Sequence, residues 1–400
     1  MIFIHICIIL FATHSNERLN QKVGGIANQV LQLLPAYEKI EDLKVSVFSK
    51  YSKYKPNTER IKVYNIQKFS NIQKFALRTL NTLFFYIKFF MKVKKLAKED
   101  PIHLIHQQNY GYYLMGPLIV AKILNIPILI KTPADIRSHM MHAYLSRHHG
   151  IITKMLIYGW FNFFKKFIIK RIDFIQALND RIYHDLISLK FPKENILQLP
   201  NGISFENFKK IKKAEKDFTA FGYIGRLEKH KNIDFLLNTF KEYLKTYPSD
   251  KLYIFGKGPE YKNITNIIHE NDLDQNVLLF GFEKDKNNMY SNIEVLINPS
   301  YGEGISNTIL EAMSTNTLVI ASNVHGNNDI ILHKFCGLLF NPNIQKELLE
   351  QMFFYKENSK AIQNIIINAK YEIITKYEIN VIAKSIFEFL KSKLTYRCNF

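Results

Sequence analysis

Four residues in the second half of the chain have types and spacings suited to holding an anionic leaving group: Arg226, Lys231, Glu303 and Glu311. Arg226 and Lys231 stand five residues apart in GYIGRLEKHKN, a loop that follows an apolar run read as a strand. Two cations so placed can clamp a diphosphate and stabilise the charge that develops as it departs. A pair of surface cations in a charged turn would show the same residues. The acids belong to NPSYGEGISNTILEAMSTNTLVIAS, where a strand ends at Asn298, a glycine-containing loop follows and a helix begins near Ser306. A helix start offers unpaired N–H groups to an anion, so a phosphate site is expected around Gly304, Ile305, Ser306 and Asn307. On one helix Glu303 and Glu311 would be ~12 Å apart, beyond the roughly 5–9.5 Å of hydrolytic carboxylate pairs. They are expected to grip different parts of one extended ligand. The ordinary alternative is an acid complementing the helix dipole and a solvated helix residue.

Other motifs say less. VGGIANQV places Gly24 and Gly25 after the first strand, where paired glycines allow a backbone to approach a ligand or simply make a turn. GKGPEY begins like a dinucleotide fingerprint, but Tyr261 stands where the third glycine belongs, which argues against NAD. Asp272 and Asp274 imitate an Asp-x-Asp metal motif inside a polar turn. His139, His142, His148 and His149 have helical spacing without a Cys or a dense acid cluster to complete a zinc site. Cys7, Cys336 and Cys398 are far apart, giving neither a CxxC pair nor a disulfide framework and favouring a reducing compartment. No nucleophile elbow or Walker loop is present in the sequence.

The elements that must position these residues follow from periodicity. Short apolar runs (2–10, 45–48, 102–105, 126–130 and 174–177) alternate with longer helical patterns in the first half. The second half repeats the theme with 218–224, 251–255, 277–280, 295–297 and 317–321, separated by helices such as 233–247. This alternation predicts two doubly wound, Rossmann-like α/β domains with parallel sheets. Their expected extents are 1–203 and 204–378, with the junction in the polar stretch 204–217, and 379–400 forming a terminal helix that packs back toward the first domain. The opening MIFIHICIILFA lacks a preceding cation and a clear cleavage site, so a buried first strand is expected rather than a secretion signal. GYYLMGPLIVAKILNIPILI has the length of a membrane span, but Lys122 and Pro127 divide it into a helix and a strand.

The second half also resembles the retaining glycosyltransferases of family 4, which have the GT-B fold. GYIGRLEKHKNIDFLL looks like the Gly-Arg-Leu…Lys loop of that family, LYIFGKGPEY its Gly-x-Gly-Pro turn, and VLLFGF its strand-Gly turn. EGISNTILEAMS resembles its Glu-x7-Glu motif, and LPNGISFENF the segment at the domain junction. The resemblance implies two Rossmann-like domains facing across a cleft, a metal-independent reaction with no cofactor, and a nucleotide-sugar donor, UDP- or GDP-linked, on the second domain. It implies that Arg226 and Lys231 hold the diphosphate, Glu311 the ribose hydroxyls and Glu303 the transferred sugar. Backbone N–H groups of Gly304 to Asn307 would meet the distal phosphate or sugar, and those near Phe282 the base. Two departures stand out. Asn316 and Leu318 replace the usual small-Gly-x-Pro turn, and IKTPADIR carries no His where many members have one, leaving Asp135 or His106 to take that place.

Charge separates the halves. Residues 1–200 carry 29 Lys+Arg against 12 Asp+Glu, a net of +17 out of +19 for the chain. From Arg60 to Lys98 there are ten cations and no acid, interleaved with Phe69, Phe75, Phe84, Phe85, Phe89 and Phe90, and 155–171 has a similar composition. Such a basic aromatic helix can lie on an anionic membrane surface, or its aromatics can pack on the sheet while the lysines are solvated. Nucleic acid is not expected, because no recognised module accompanies the charge. The sequence therefore reads as a cytoplasmic glycosyltransferase, peripheral on the inner membrane face, that adds a sugar to a glycan or lipid-linked acceptor in cell-surface polysaccharide synthesis. A nucleotide-sugar epimerase or hydrolase of the same fold, or a catalytically silent membrane-associated partner protein, are the alternatives.

Overall fold

The computed structural model describes residues 3–10, 25–49, 54–66, 75–108, 115–132 and 168–395. Gly24, Asp135, the four clustered histidines and nearly all of 155–171 lie outside the described residues. The chain divides into two compact units, one formed by Met1–Gly202 with Ile379–Phe400 and the other by Ile203–Glu378.

The first unit holds a seven-stranded parallel sheet of order β3-β2-β1-β4-β5-β6-β7. Its strands are β1 (Ile4–Leu10), β2 (Leu43–Ser49), β3 (Ile61–Asn65), β4 (Leu104–Gln107), β5 (Ile128–Thr132), β6 (Phe174–Ala177) and β7 (Ile196–Gln198). The described helices are α1 (Gly25–Glu38), α2 (Phe75–Glu99), α3 (Met115–Ile123) and α4 (Asp180–Ser188), joined at the chain end by α11 (Ile379–Thr395). The opening apolar run is a strand between β2 and β4, with Ile4, Ile6 and Ile8 buried. In α11, Ile382, Ile386 and Leu390 recur every four residues and bury against Val30, Leu33 and Tyr37 of α1 and the β1 side chains. Gly202, where the chain leaves this unit, touches Ile379 and Ile382, and a Cβ there would crowd both.

The long basic stretch is not one helix, because Ile61–Asn65 forms edge strand β3 ahead of α2. Within α2, Phe85, Phe89 and Val93 fall at four-residue intervals and are buried, with Phe89 edge-on to Phe48 of β2. Part of the aromatic content is therefore core. Ile87 and Met91 are exposed on the same helix.

The second unit holds a six-stranded parallel sheet of order β10-β9-β8-β11-β12-β13. It contains β8 (Ala220–Ile224), α5 (Ile233–Leu244), β9 (Lys251–Phe255), α6 (Tyr261–Glu270), β10 (Val277–Gly281), α7 (Lys286–Ser291) and β11 (Val295–Asn298). These are followed by α8 (Asn307–Met313), β12 (Leu318–Ser322), β13 (Leu338–Phe340), α9 (Gln345–Glu357) and α10 (Ser359–Glu372). Phe221, Leu236, Phe240, Ile297, Ile320 and Leu348 belong to one core. The polar stretch 204–217 is tied into this unit rather than left in solvent. Phe208 and Ile211 are buried, and the Lys213 ammonium donates to the carbonyls of Tyr290 and Ile293 at 2.8 and 2.6 Å. Burial lowers Lys213 to about 7.

Each unit is thus a doubly wound, Rossmann-like parallel sheet, as the alternation of runs predicts. In each sheet the order reverses once, between β1 and β4 and between β8 and β11. Ligands of doubly wound folds bind beyond the carboxyl ends of the strands at such a point.

Candidate functional site

The loops singled out from sequence emerge from β8 and β11, the neighbours at the reversal in the second sheet. After β8 the chain runs through Gly225 and Arg226 into a short 3-10 turn, Lys229–Lys231, and enters α5 through Asn232, whose left-handed backbone (φ 57°) suits an Asn. The turn is held from below. Leu227 is buried, its N–H donates to the Lys257 carbonyl at 3.2 Å, and the Tyr223 hydroxyl donates to the Arg226 carbonyl at 2.8 Å. GKGPEY explains itself here: a Cβ at Gly256 would overlap the Gly225 carbonyl oxygen, and one at Gly258 the Leu227 carbonyl. Its glycines let two loops of one sheet end stack closely.

Lys231 and Glu303 meet, Nζ to Oε1 at 2.5 Å, with both side chains largely buried. The Ser300 hydroxyl lies 2.8 Å from the same oxygen and the Asn298 amide 3.4 Å. The Tyr301 N–H donates to the His230 carbonyl at 2.9 Å, which stitches the two loops together. Behind Glu303, Gly326 (φ 92°) packs so tightly that a Cβ would overlap the Gly304 carbonyl. The Asp329 carboxylate accepts from its N–H at 2.8 Å. Asp329 thereby fixes a turn under the Glu303 loop.

Arg226 is not part of that pair. Its side chain is 76% exposed and bonds to Glu228 at 2.6 Å. His230, unnoticed in the sequence, is the group that senses all four charges. Burial and Lys231 push its pKa down, Glu228 and Glu303 push it up and Arg226 pushes it down, for a net lowering.

Glu311, the fifth residue of α8, is 5% exposed rather than solvated. One carboxylate oxygen receives Lys286 of α7, and the other accepts the Tyr290 hydroxyl at 2.9 Å. The Lys286 ammonium also lies 5.1 Å from the Phe208 ring centroid, and Phe208 packs edge-on to Tyr290. Burial first, and then Glu311, hold the Tyr290 phenol well above its ordinary value, so it stays a donor. A buried carboxylate is costly unless paired and hydrogen-bonded, and this one is both. Glu303 precedes α8 and Glu311 lies within it, so they face different partners, Lys231 and Lys286.

The remaining expected residues fall around these two centres. Ile305 and Ser306 are buried at the entry to α8, where the Ser306 hydroxyl lies 3.0 Å from that of Thr308. Phe282 follows Gly281 (φ 69°) at the end of β10 and is 42% exposed. Tyr301 also lines a neighbouring cavity of about 640 Å³ with Asn323, His333 and Asn341.

In the first unit, Gly25 opens α1. His106 is fully buried in β4 and bonded to the Gln108 amide. Burial, then the charge of Lys131, lowers it to about 3. It is a neutral interior histidine with no exposed surface. Asp272 adopts a left-handed turn and Asp274 pairs with His269. No three His, Cys, Asp or Glu among the described residues are grouped to hold a metal.

Residues 204–372 match the family described as Glycosyl transferases group 1. The chain is 24% identical over 271 residues to the UDP-Gal:alpha-D-GlcNAc-diphosphoundecaprenol alpha-1,3-galactosyltransferase of Escherichia coli, covering 64% of this chain and 67% of that protein. It is 27% identical over 329 residues to the alpha-monoglucosyldiacylglycerol synthase of Acholeplasma laidlawii, covering 78% and 79%. Its fold superposes on Anabaena Alr3699/HepE, solved in complex with UDP and glucose, with a TM-score of 0.70 at 16% identity, over 97% of this chain and 100% of that one. The second unit thus carries a domain of the group 1 glycosyl transferases, and the chain is a transferase enzyme of GT-B fold.

Proposed function

We propose that this glycosyltransferase moves a sugar, with retention of anomeric configuration, from a UDP- or GDP-sugar to a lipid-linked or polysaccharide acceptor in cell-surface glycan synthesis. The observation that carries the donor half is the pair of carboxylates, Glu303 largely buried and Glu311 buried, each bonded to a lysine at the switch point of the second sheet. Each carboxylate oxygen has a second lone pair, so Glu311 can accept two ribose hydroxyls while Lys286 and Tyr290 hold it. Lys231 and Arg226 offer cations to the departing diphosphate, together with the backbone N–H groups of Gly304 to Asn307. When Lys231 turns to the phosphate, Glu303 becomes available to the hydroxyls of the transferred sugar. The chain supplies this charge itself, and the reaction is read as metal-independent. Phe282 borders the base.

Both relatives named above carry lipid in the name of their product or acceptor, and the superposed Anabaena structure holds UDP and glucose. These support a UDP-sugar and a lipid-linked acceptor here. No described helix is long and apolar enough to cross a membrane. We read the protein as peripheral on the cytoplasmic face, held through the outer side of α2. There Ile87 and Met91 are exposed, and Lys88 and Lys94 lie against Phe84 and Phe90 at 4.5 and 5.9 Å.

A panel of UDP- and GDP-sugars tests the donor by thermal stabilisation, since a ligand of the native state raises its stability. NMR of the product tests the configuration, and an inverted product refutes retention. Donor consumption that is indifferent to any acceptor would favour the hydrolase or epimerase reading. Replacing Lys92, Lys94 and Lys95 with Glu should release the protein from anionic vesicles, at about 1 kcal/mol per lysine. Unchanged flotation at low salt refutes membrane docking through α2.

A further inference from the structure

Four consecutive backbone carbonyls, those of Tyr290, Ser291, Asn292 and Ile293, lie at and just beyond the end of α7, and one short stretch at the start of the second unit meets them all. The Lys213 ammonium donates to the Tyr290 and Ile293 carbonyls at 2.8 and 2.6 Å, the Ala214 N–H to that of Ser291 at 2.9 Å, and the Lys216 ammonium to that of Asn292 at 2.6 Å. The third donation of Lys213 goes to the Thr317 hydroxyl at 2.5 Å, just ahead of β12. Three N–H groups thus have three acceptors. The last carbonyls of a helix have no partner within it, and a basic side chain there satisfies them. This cap matters more for α7 than for a long helix, because a helix of six residues is not stable through its own hydrogen bonds. Its other end is held locally, where the Asp285 carboxylate accepts the Asn287 N–H at 2.9 Å.

What α7 presents is the surround of Glu311. Lys286 and Tyr290 each bond one oxygen of that carboxylate, and Tyr290 is also the residue whose carbonyl Lys213 holds. Phe208, five residues before Lys213, packs edge-on to the Tyr290 ring and lies 5.1 Å from the Lys286 ammonium. The donations of Lys213 go to backbone and to Thr317, so it acts on Glu311 through α7. A carboxylate fixed in one orientation loses less freedom when a ligand arrives than one that must be ordered at that moment.

We propose that Lys213 is a positioning residue of the donor site: by capping α7 it aims Lys286 and Tyr290 at Glu311, and so sets how firmly that carboxylate holds a ribose. The proposal rests on the reading of Glu311 as the acceptor of ribose hydroxyls.

The test titrates the full chain calorimetrically with UDP, GDP and the 2′,3′-dideoxy form of each, which keeps base and diphosphate but offers Glu311 no hydroxyl. Wild type should bind one of the two ribonucleotides about tenfold or more tighter than its dideoxy form, the effect of a hydrogen bond to a charged acceptor. Lys213→Met keeps the apolar stem and removes the three donations. It should lose most of that preference while its affinity for the dideoxy form stays at the wild-type value. Thr317→Val removes one acceptor and leaves the ammonium in place; it should lose a smaller part of the preference, and it carries the test if Lys213→Met does not fold. A merely structural lysine would lower the melting temperature with the preference intact, or would weaken both forms of the nucleotide alike. Either result in the folded variants overturns the proposal. Wild type that binds ribose and dideoxy forms equally, or binds neither, refutes instead Glu311 as the ribose acceptor and the donor reading itself.

Discussion

Lys286→Met isolates what the structure says about Glu311. In wild type one oxygen of this 5%-exposed carboxylate faces Lys286 and the other Tyr290. The lysine side chain is 35% exposed, so the pair lies between a surface ion pair, worth about 0–1 kcal/mol, and a sealed one whose breakage costs about 3–5 kcal/mol. A loss of about 1–2 kcal/mol is expected. At about 2–4 °C per kcal/mol for a unit of this size, the melting temperature should fall by roughly 2–8 °C. Adding Glu311→Leu to the same chain removes the stranded charge. If the carboxylate were only structural, the apolar pair would be neutral or stabilising and binding would be unaffected. Under the donor reading the double variant regains the lost stability but no longer binds UDP. Two ribose hydroxyl bonds to a charged acceptor, at about 1.5 kcal/mol or more each, correspond to a loss of roughly 100-fold or more. Thermal unfolding reads the first quantity and calorimetry with UDP the second. A double variant that binds UDP as wild type does would refute the assignment of Glu311.

Three further outcomes follow from particular contacts. Lys231→Met removes the cation offered to the diphosphate and should lower kcat about 100-fold or more, roughly 3 kcal/mol of charge stabilisation; kinetics within a few-fold of wild type would exclude Lys231 from the reaction. Gly256→Ala drives a Cβ into the Gly225 carbonyl, so the Arg226 loop must shift, at about 1–3 kcal/mol of overpacking. Thermal unfolding should register this and UDP affinity should fall with it; an unchanged melting temperature would contradict the close stacking. His106 is lowered to about 3 against an unfolded value near 6.5, so the unfolded chain binds the extra proton between these limits. Its contribution to stability is complete above about pH 6.5 and is lost as pH falls toward 3, at most about 5 kcal/mol at ~1.4 kcal/mol per unit. His106→Gln should flatten that part of the stability profile, and an identical acid limb in the variant would show that other groups set it.

Much of this protein is legible along the chain because local chemistry writes it there. Runs such as Val295–Asn298 and Leu318–Ser322 are strands in sequence and fully buried strands in structure, since a parallel sheet covered on both faces favours near-continuous apolar residues. Strands β3, β7 and β13 left no such trace. β7 and β13 are three residues long and β3, at the sheet edge, has one buried residue, Ile61, so pairing with neighbours rather than composition makes them strands. The same holds at the site. The types and spacing of Arg226, Lys231, Glu303 and Glu311 announce phosphate and sugar chemistry, and their loops follow strands that can be read directly. Sequence cannot say that β8 and β11 are neighbours, so it could not pair Lys231 with Glu303 across 72 residues or separate Arg226 from both. Nor could it find Lys286, Tyr290 or His230, ordinary residues until packing brings them to a charge. Spacing sets which groups are available, whereas burial and strand order, properties of the assembled sheet alone, decide which of them meet and in what state of charge.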